Sequence, residues 1–316
     1  MKKYIKIIGN VITVVAIIFV LKKLFQSDID YSILLNKENI LPVVISAVLL
    51  SIIVILNCTP WKRLVYIITG THIPFKNAVT VYTKSNILKY LPGNVFQYVG
   101  RNELAINLGI RHTDVAMATI LDIIMLILAS FLISLVLLKG VILEVIYNYK
   151  NNLMMVLGII IIVAIIVFII LLWRFKDELT AFLVRFLSVF KKKNILSVLV
   201  CMLYYLVVTI VSSLLYMMVL LLVLKQDISS ALFMDICGAY TLSWLIGFIT
   251  PGAPAGIGIK EAVMMAITGG VLNQEAIVLS LVILRVLTIF GDVMSFVIVQ
   301  VVVKFGGKKD AANHYL

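Results

Sequence analysis

Charge is scarce in this chain. Only 13% of its 316 residues are Asp, Glu, Lys or Arg, about half the share of a soluble domain, which is too little to cover an ordinary water-facing surface. Histidine and cysteine are scarcer, at three each. His72, His112 and His314 are scattered, and none stands beside Cys, Asp or Glu at metal-ligand spacing. Cys58, Cys201 and Cys237 have neither zinc-site spacing nor the density of a disulfide scaffold, so each reads as a small apolar filler. A nucleophile elbow, a P-loop and a dinucleotide fingerprint are missing, and Gly256-x-Gly258 alone is no nucleotide signal. These absences leave no case for a metal- or nucleotide-dependent enzyme, and no cofactor is expected.

Apolar residues fill the space instead, at 63%. Several windows exceed the ~18 apolar residues that mark a membrane helix, so the fold class is an all-α, polytopic integral membrane protein. The net charge of +12 comes from basic residues at the ends of apolar segments. Topology and anionic headgroups account for them, so membrane lipids are the expected partners and nucleic acid is not. Met1-Lys2-Lys3 and the apolar run to about Leu21 mimic a signal peptide, but Lys22-Lys23-Leu24-Phe25 follows where a small-x-small cleavage site belongs. A retained anchor is expected there.

Six full spans are read at about 5–24, 40–58, 115–138, 153–173, 195–223 and 276–303. Two further apolar stretches, about 76–100 and 231–268, are interrupted by Pro and Gly and fit re-entrant hairpins or pairs of half-helices. Lys and Arg crowd the N-terminus, the connections around 62–111 and 174–193, and the C-terminus, whereas the opposing loops are poorer in them. That asymmetry puts both termini in the cytoplasm. An amphipathic surface helix or a plain cytosolic linker fits Lys176 to Phe190. Tyr147, Tyr149, Tyr204 and Tyr205 read as interface anchors, and Asn57 and Gln300 as residues that cap or bond helix ends.

The two interrupted stretches are nearly the same sentence, 158 residues apart. The first runs Tyr82-Thr83-Lys84-Ser85, then Pro92-Gly93-Asn94, then Arg101 and Glu103; the second runs Tyr240-Thr241-Leu242-Ser243, then Pro251-Gly252-Ala253-Pro254, then Lys260 and Glu261. Each basic residue follows its Pro by nine positions. Paired broken segments of this kind mark the binding site of a transporter built from repeats. The repeats are read as about 40–138, with broken segment 76–111, and about 195–303, with broken segment 231–268, within one membrane domain over 1–316. Charge-derived orientation sends the two breaks into the membrane from opposite sides, an inverted repeat with a polar site near the midplane.

In the second break, Pro251 and Pro254 prevent an ordinary helix, and Gly252, Gly256 and Gly258 permit close backbone approach. A half-helix beginning near Ile257 to Ile259 would attract an anion such as a phosphate headgroup; a tight surface loop is the plainer alternative. In the first break, Arg101 can clamp a phosphate with Glu103 as its resting counter-charge, or can simply anchor a cytoplasmic helix end. Within the spans, Asp122, Arg285 and Asp292 are expensive in lipid and are expected to face a cavity or a partner. Arg285 would hold the headgroup with Asp122, Asp292 or Glu261 as counter-ion or proton carrier; a buried structural ion pair is the alternative.

At Leu-Pro-Gly-Asn…Arg-x-Glu (91–103) and Pro-Gly-Ala-Pro-Ala-Gly-Ile-Gly-Ile-Lys-Glu (251–261) the chain resembles the lysylphosphatidylglycerol synthase transmembrane region, the flippase-like membrane domain family. The resemblance covers almost the whole chain. The family typically reads Pro-x-Pro-Gly-Gly-x-Gly-x-x-Glu at the second motif; Gly256, Gly258 and Glu261 fit it, and Ala255 replaces the first glycine. The resemblance implies movement of an aminoacylated phospholipid or a polyprenyl-phosphate-linked sugar between leaflets of a bacterial plasma membrane. A lipid-modifying synthase or a glycosyltransferase is the implied partner. Full-length relatives carry a cytosolic aminoacyl transferase domain; the chain to Leu316 includes none, so synthase activity is not expected of it. The rival readings are a membrane transferase with Glu103 or Glu261 as general base, an accessory subunit of envelope synthesis, and a small-solute transporter.

Overall fold

Uninterrupted runs of Leu, Ile and Val have one way to satisfy backbone N–H and C=O groups away from water, and they wind into helices. The computed structural model describes residues 32–91, 95–141, 184, 186–187, 189–250 and 256–312. After one helical turn at Ser32–Leu35, the helices are α1 (Lys37–Leu56), α2 (Cys58–Thr69), α3 (Phe75–Ile87), α4 (Phe96–Ile106), α5 (His112–Leu137), α6 (Ile195–Met218), α7 (Ser230–Ile249), α8 (Ile259–Thr268) and α9 (Gln274–Ala312). Among the described residues there is no strand, in keeping with the all-α expectation.

Five helical stretches among these residues are long and apolar enough to cross a membrane: Lys37–Thr69, His112–Leu137, Ile195–Val223, Ser230–Ile249 and Gln274–Val303. Three sit on the spans expected at 115–138, 195–223 and 276–303. The expected spans 5–24 and 153–173 lie outside the described residues, as does most of the amphipathic stretch 176–190. The span expected at 40–58 runs on, past an offset at Asn57, through α2 to Thr69. The break expected in 231–268 falls after residue 249. Its first limb, α7, is therefore a continuous 20-residue helix, about 30 Å long at 1.5 Å per residue, because the prolines cluster after it rather than within it.

Tail-like lipid offers apolar helices no hydrophobic drive to associate, so close backbone approach and small polar side chains carry much of the packing. Gly291 of α9 lies flush against α1, where an added Cβ would come within 2.8 Å of the Leu50 Cβ. Gly238 of α7 sits equally close to Leu137 and Leu138 at the end of α5. Ser46, Ser51, Ser130, Ser213, Ser243, Ser280 and Ser295 are buried along these seams. Leu41, Val136, Leu196 and Leu203 face outward, as a lipid-facing surface requires.

The buried side chains form two clusters, not one. Trp61, Leu64, Val65, Tyr82, Val115, Leu121, Cys201 and Val299 belong to the first; Tyr216, Val219, Leu220, Ile236, Cys237, Met264, Ile277 and Leu287 belong to the second. The cysteines are free and buried in these clusters. Helices α5, α6 and α9 thread both.

Contacts along α6 name the two ends of the bundle. Its start lies by α2, where Tyr204 donates to the Asn57 side chain at 2.8 Å. Its end lies by the start of α1, where Asn39 donates to the Val223 carbonyl at 3.2 Å and Lys225 pairs with Glu38. Asn57 thus bonds across helices instead of capping one, and the Gln300 amide nitrogen, buried, has no hydrogen-bond partner among the described residues. Helices α3 and α4 form a hairpin that leaves and returns at the α2–α3 connection around Gly70. Helices α7 and α8 form a second hairpin, which leaves and returns at the Lys225 end. Packing partners exchange between the halves: α3 lies on α9 while α7 lies on α5, and α1 lies on α9 while α6 lies on α5.

Candidate functional site: a charged cavity between two elbows

Between the two apolar clusters lies a cavity of about 700 Å³. Asn86, Lys89, Tyr90, Gln97 and Arg101 from the flanks of the first elbow line it, together with Gly247, Thr250, Gly256 and Lys260 from the flanks of the second. Asp122 of α5, Tyr205 and Thr209 of α6, and Arg285 and Asp292 of α9 close the walls. Pro92, Gly93, Asn94, Pro251, Gly252 and Pro254 lie outside the described residues.

Three ion pairs cross this layer. Arg101 reaches Asp122 at 3.2 Å, and both side chains are almost wholly buried. Its guanidinium lies 3.9 Å from the Tyr82 ring centroid and 6.0 Å from that of Trp61, a stacked cation–π arrangement that only a planar cation makes well. Tyr205 donates its hydroxyl to the other Asp122 oxygen. Asp292 is fully buried and receives Lys89 at 2.6 Å, the Asn86 amide at 2.7 Å and the Tyr90 hydroxyl. Asp122 and Asp292 therefore each have a cation and a tyrosine, as the cost of an unpaired charge demands.

The third pair joins Arg285 to Glu261 at 3.0 Å and is more open, both partners being part-exposed, with the Glu261 side chain at 14% where that of Asp292 is at 0%. Glu261 also accepts the Gly258 backbone N–H at 2.8 Å, capping the start of α8. Gly258 and Gly256 have φ of +81° and +72°, which glycine adopts at little cost. The half-helix starts where the sequence reading put it, but the anion at its N-terminus is the protein's own carboxylate.

Lys260 is different. Its stem crosses the seam between Gly247 and Gly256, where a Cβ on Gly247 would come within 2.8 Å of the Lys260 Cγ, and one on Gly256 within 2.9 Å of its Cε. The glycines thus make the groove that carries the ammonium to the cavity. Among the described residues no carboxylate lies within ion-pair distance of it.

Of the residues singled out from sequence, the cavity brings together Arg101, Asp122, Lys260, Arg285, Asp292 and Gly256, with Glu261 and Gly258 directly behind. Glu103 is exposed and absent from the cavity wall. It cannot be the counter-charge expected for Arg101, because two positions along α4 turn it to another face; Asp122 has that role. Tyr205 is buried, and Tyr204 bonds Asn57 across helices, so neither is a surface anchor. Asn86, Lys89, Tyr90 and Trp61 were not anticipated, and Tyr82 only as part of the repeated motif. Asn86, Lys89 and Tyr90 recur at helical spacing just before Pro92, and that periodicity was the available signal. Trp61 offered none, being an ordinary apolar-face residue until Arg101 is set over it, and for Tyr82 the signal was its place at the start of the repeated motif.

Protein-family models yield no match to this chain, and the curated proteins compared with it yield none.

Proposed function

We propose that this protein is a flippase-like transporter of a bacterial plasma membrane that moves an anionic lipid between leaflets. In this reading α3–α4 and α7–α8 are re-entrant hairpins entering from opposite faces, the two halves form an inverted repeat, and both termini are cytoplasmic. The single observation that carries it is the meeting, at one cavity, of the residues flanking both breaks. That cavity gathers Arg101, Lys260 and Arg285 between two separate apolar clusters. A phosphate headgroup needs such cations away from water, and a core divided into two packed ends can rock about the site between them. Exchange of packing partners between the halves supports the repeat.

Within this reading the cations have separate tasks. Arg285, partly exposed, and Lys260, without a carboxylate partner among the described residues, are placed to take the cargo phosphate. Arg101, enclosed by Asp122 and two aromatic rings, braces the first elbow. The test is a leaflet assay in reconstituted vesicles, following protection of acyl-labelled phosphatidylglycerol from an impermeant reductant. Wild-type protein should exchange the lipid well above protein-free vesicles, and Arg285→Ala should slow exchange about tenfold, one lost charge contact being worth roughly 1.4 kcal/mol. Wild-type rates equal to those of empty vesicles would remove the reading.

A further inference from the structure

The cavity's charges can be counted. Among the described residues four cations line it, Lys89, Arg101, Lys260 and Arg285, and three carboxylates answer them, Asp292, Asp122 and Glu261. The three ion pairs cancel, leaving the Lys260 ammonium as the surplus. The elbow segments 92–94 and 251–255 contain no ionisable residue, so they do not alter the sum. We propose that the cavity selects headgroups of net negative charge, docking a phosphate against Lys260, and discriminates against cationic aminoacylated lipids. It takes from the reading above only that a lipid headgroup enters this cavity.

The physical argument is the asymmetry of the two cases. A phosphodiester approaching Lys260 completes a fourth ion pair where water is limited, so it gains Coulomb energy at a partly desolvated site. A lysyl ester of the same lipid carries an extra cationic group or two on a headgroup whose phosphate supplies one negative charge. Placed with that phosphate at Lys260, it brings ammonium groups among four cations, while the three carboxylates are already engaged. Like-charge repulsion at such a partly desolvated site is screened much less than in bulk water. The expected discrimination is therefore on the order of tenfold or more. The glycine groove matters here, since Gly247 and Gly256 hold the lysine stem in place and limit its retreat from a cationic headgroup.

The chemistry recognised is a phosphate anion, which can belong to a lipid or be free. Binding is read by native mass spectrometry on purified protein in detergent, with phosphatidylglycerol, lysylphosphatidylglycerol and free glycerol phosphate as probes; exchange is read separately in vesicles. The expected result is phosphatidylglycerol binding about tenfold tighter than its lysyl ester, with the ratio falling to near one in Lys260→Gln, whose fold is checked by its thermal unfolding. Equal affinities, tighter binding of the lysyl ester, or a preference that survives Lys260→Gln overturns the inference even if vesicles show exchange. Free glycerol phosphate binding as tightly as the lipid overturns it too, in favour of a solute site. Charge-selective binding without exchange keeps the inference and removes only the transport reading.

Discussion

Arg101 and Arg285 hold the same brace in opposite senses. Arg101 stands on the returning limb of the first hairpin and meets Asp122 on the helix that follows, at 3.2 Å; Arg285 stands on the helix that follows the second hairpin and meets Glu261 on its returning limb, at 3.0 Å. Each elbow is thereby tied to the next long helix by one charge pair, with donor and acceptor exchanged between the halves.

The two braces differ in burial, and that sets a first prediction. Removing one partner of a fully buried pair leaves a desolvated charge and costs about 3–5 kcal/mol. Arg101→Met and Asp122→Leu should each lower the unfolding temperature in detergent sharply, while the double variant should lose clearly less than the sum. Additive losses would mean that the pair is not the source of the cost. Arg285→Met, at the more open pair, should unfold closer to wild type while transport falls.

Gly258 separates backbone strain from crowding. Its φ is +81° and an added Cβ would meet nothing within 4 Å. Gly258→Ala should therefore cost about 1–2 kcal/mol from conformation alone, read as a modest shift in thermal unfolding. A loss several times larger would point to a contact not accounted for.

Gly247 asks the reverse question. An added Cβ meets the Lys260 Cγ at 2.8 Å and the Gly256 Cα at 3.3 Å, so Gly247→Ala must push the lysine stem aside. The expected outcome is weakened binding of phosphatidylglycerol with a fold that survives. Wild-type affinity would show that the groove does not hold Lys260 in place.

Glu103 is exposed on α4, and surface changes away from special features usually stay within about 0.5 kcal/mol. Glu103→Gln should leave both thermal unfolding and lipid exchange near wild-type values. A tenfold loss of exchange would restore this carboxylate to the site.

Orientation is checked by single cysteines. Gly70→Cys at the α2–α3 turn and Lys225→Cys after α6 lie at opposite ends of the bundle, so an impermeant thiol reagent applied to intact cells should reach only the second. The native cysteines are buried, which keeps the background low. Labelling of both positions from outside would contradict the proposed topology.

Composition and periodicity were enough for the membrane class and for four of the five long apolar helices, because a run of Leu, Ile and Val in lipid has one backbone solution. They also located both breaks, since Pro and Gly act on the chain locally. The start of α8 near Ile259 was legible for the same reason. Which charges meet was not. Arg101 chooses Asp122 over nearby Glu103, Lys89 crosses to Asp292 from the far half of the chain, and Lys260 has no carboxylate within ion-pair distance among the described residues. Those pairings depend on which helix faces turn toward one another, and facing is set by packing at Gly238, Gly291 and the buried serines, contacts between residues far apart in sequence. Local chemistry determined where the chain bends; only the assembled bundle decided which charges share the space between the bends.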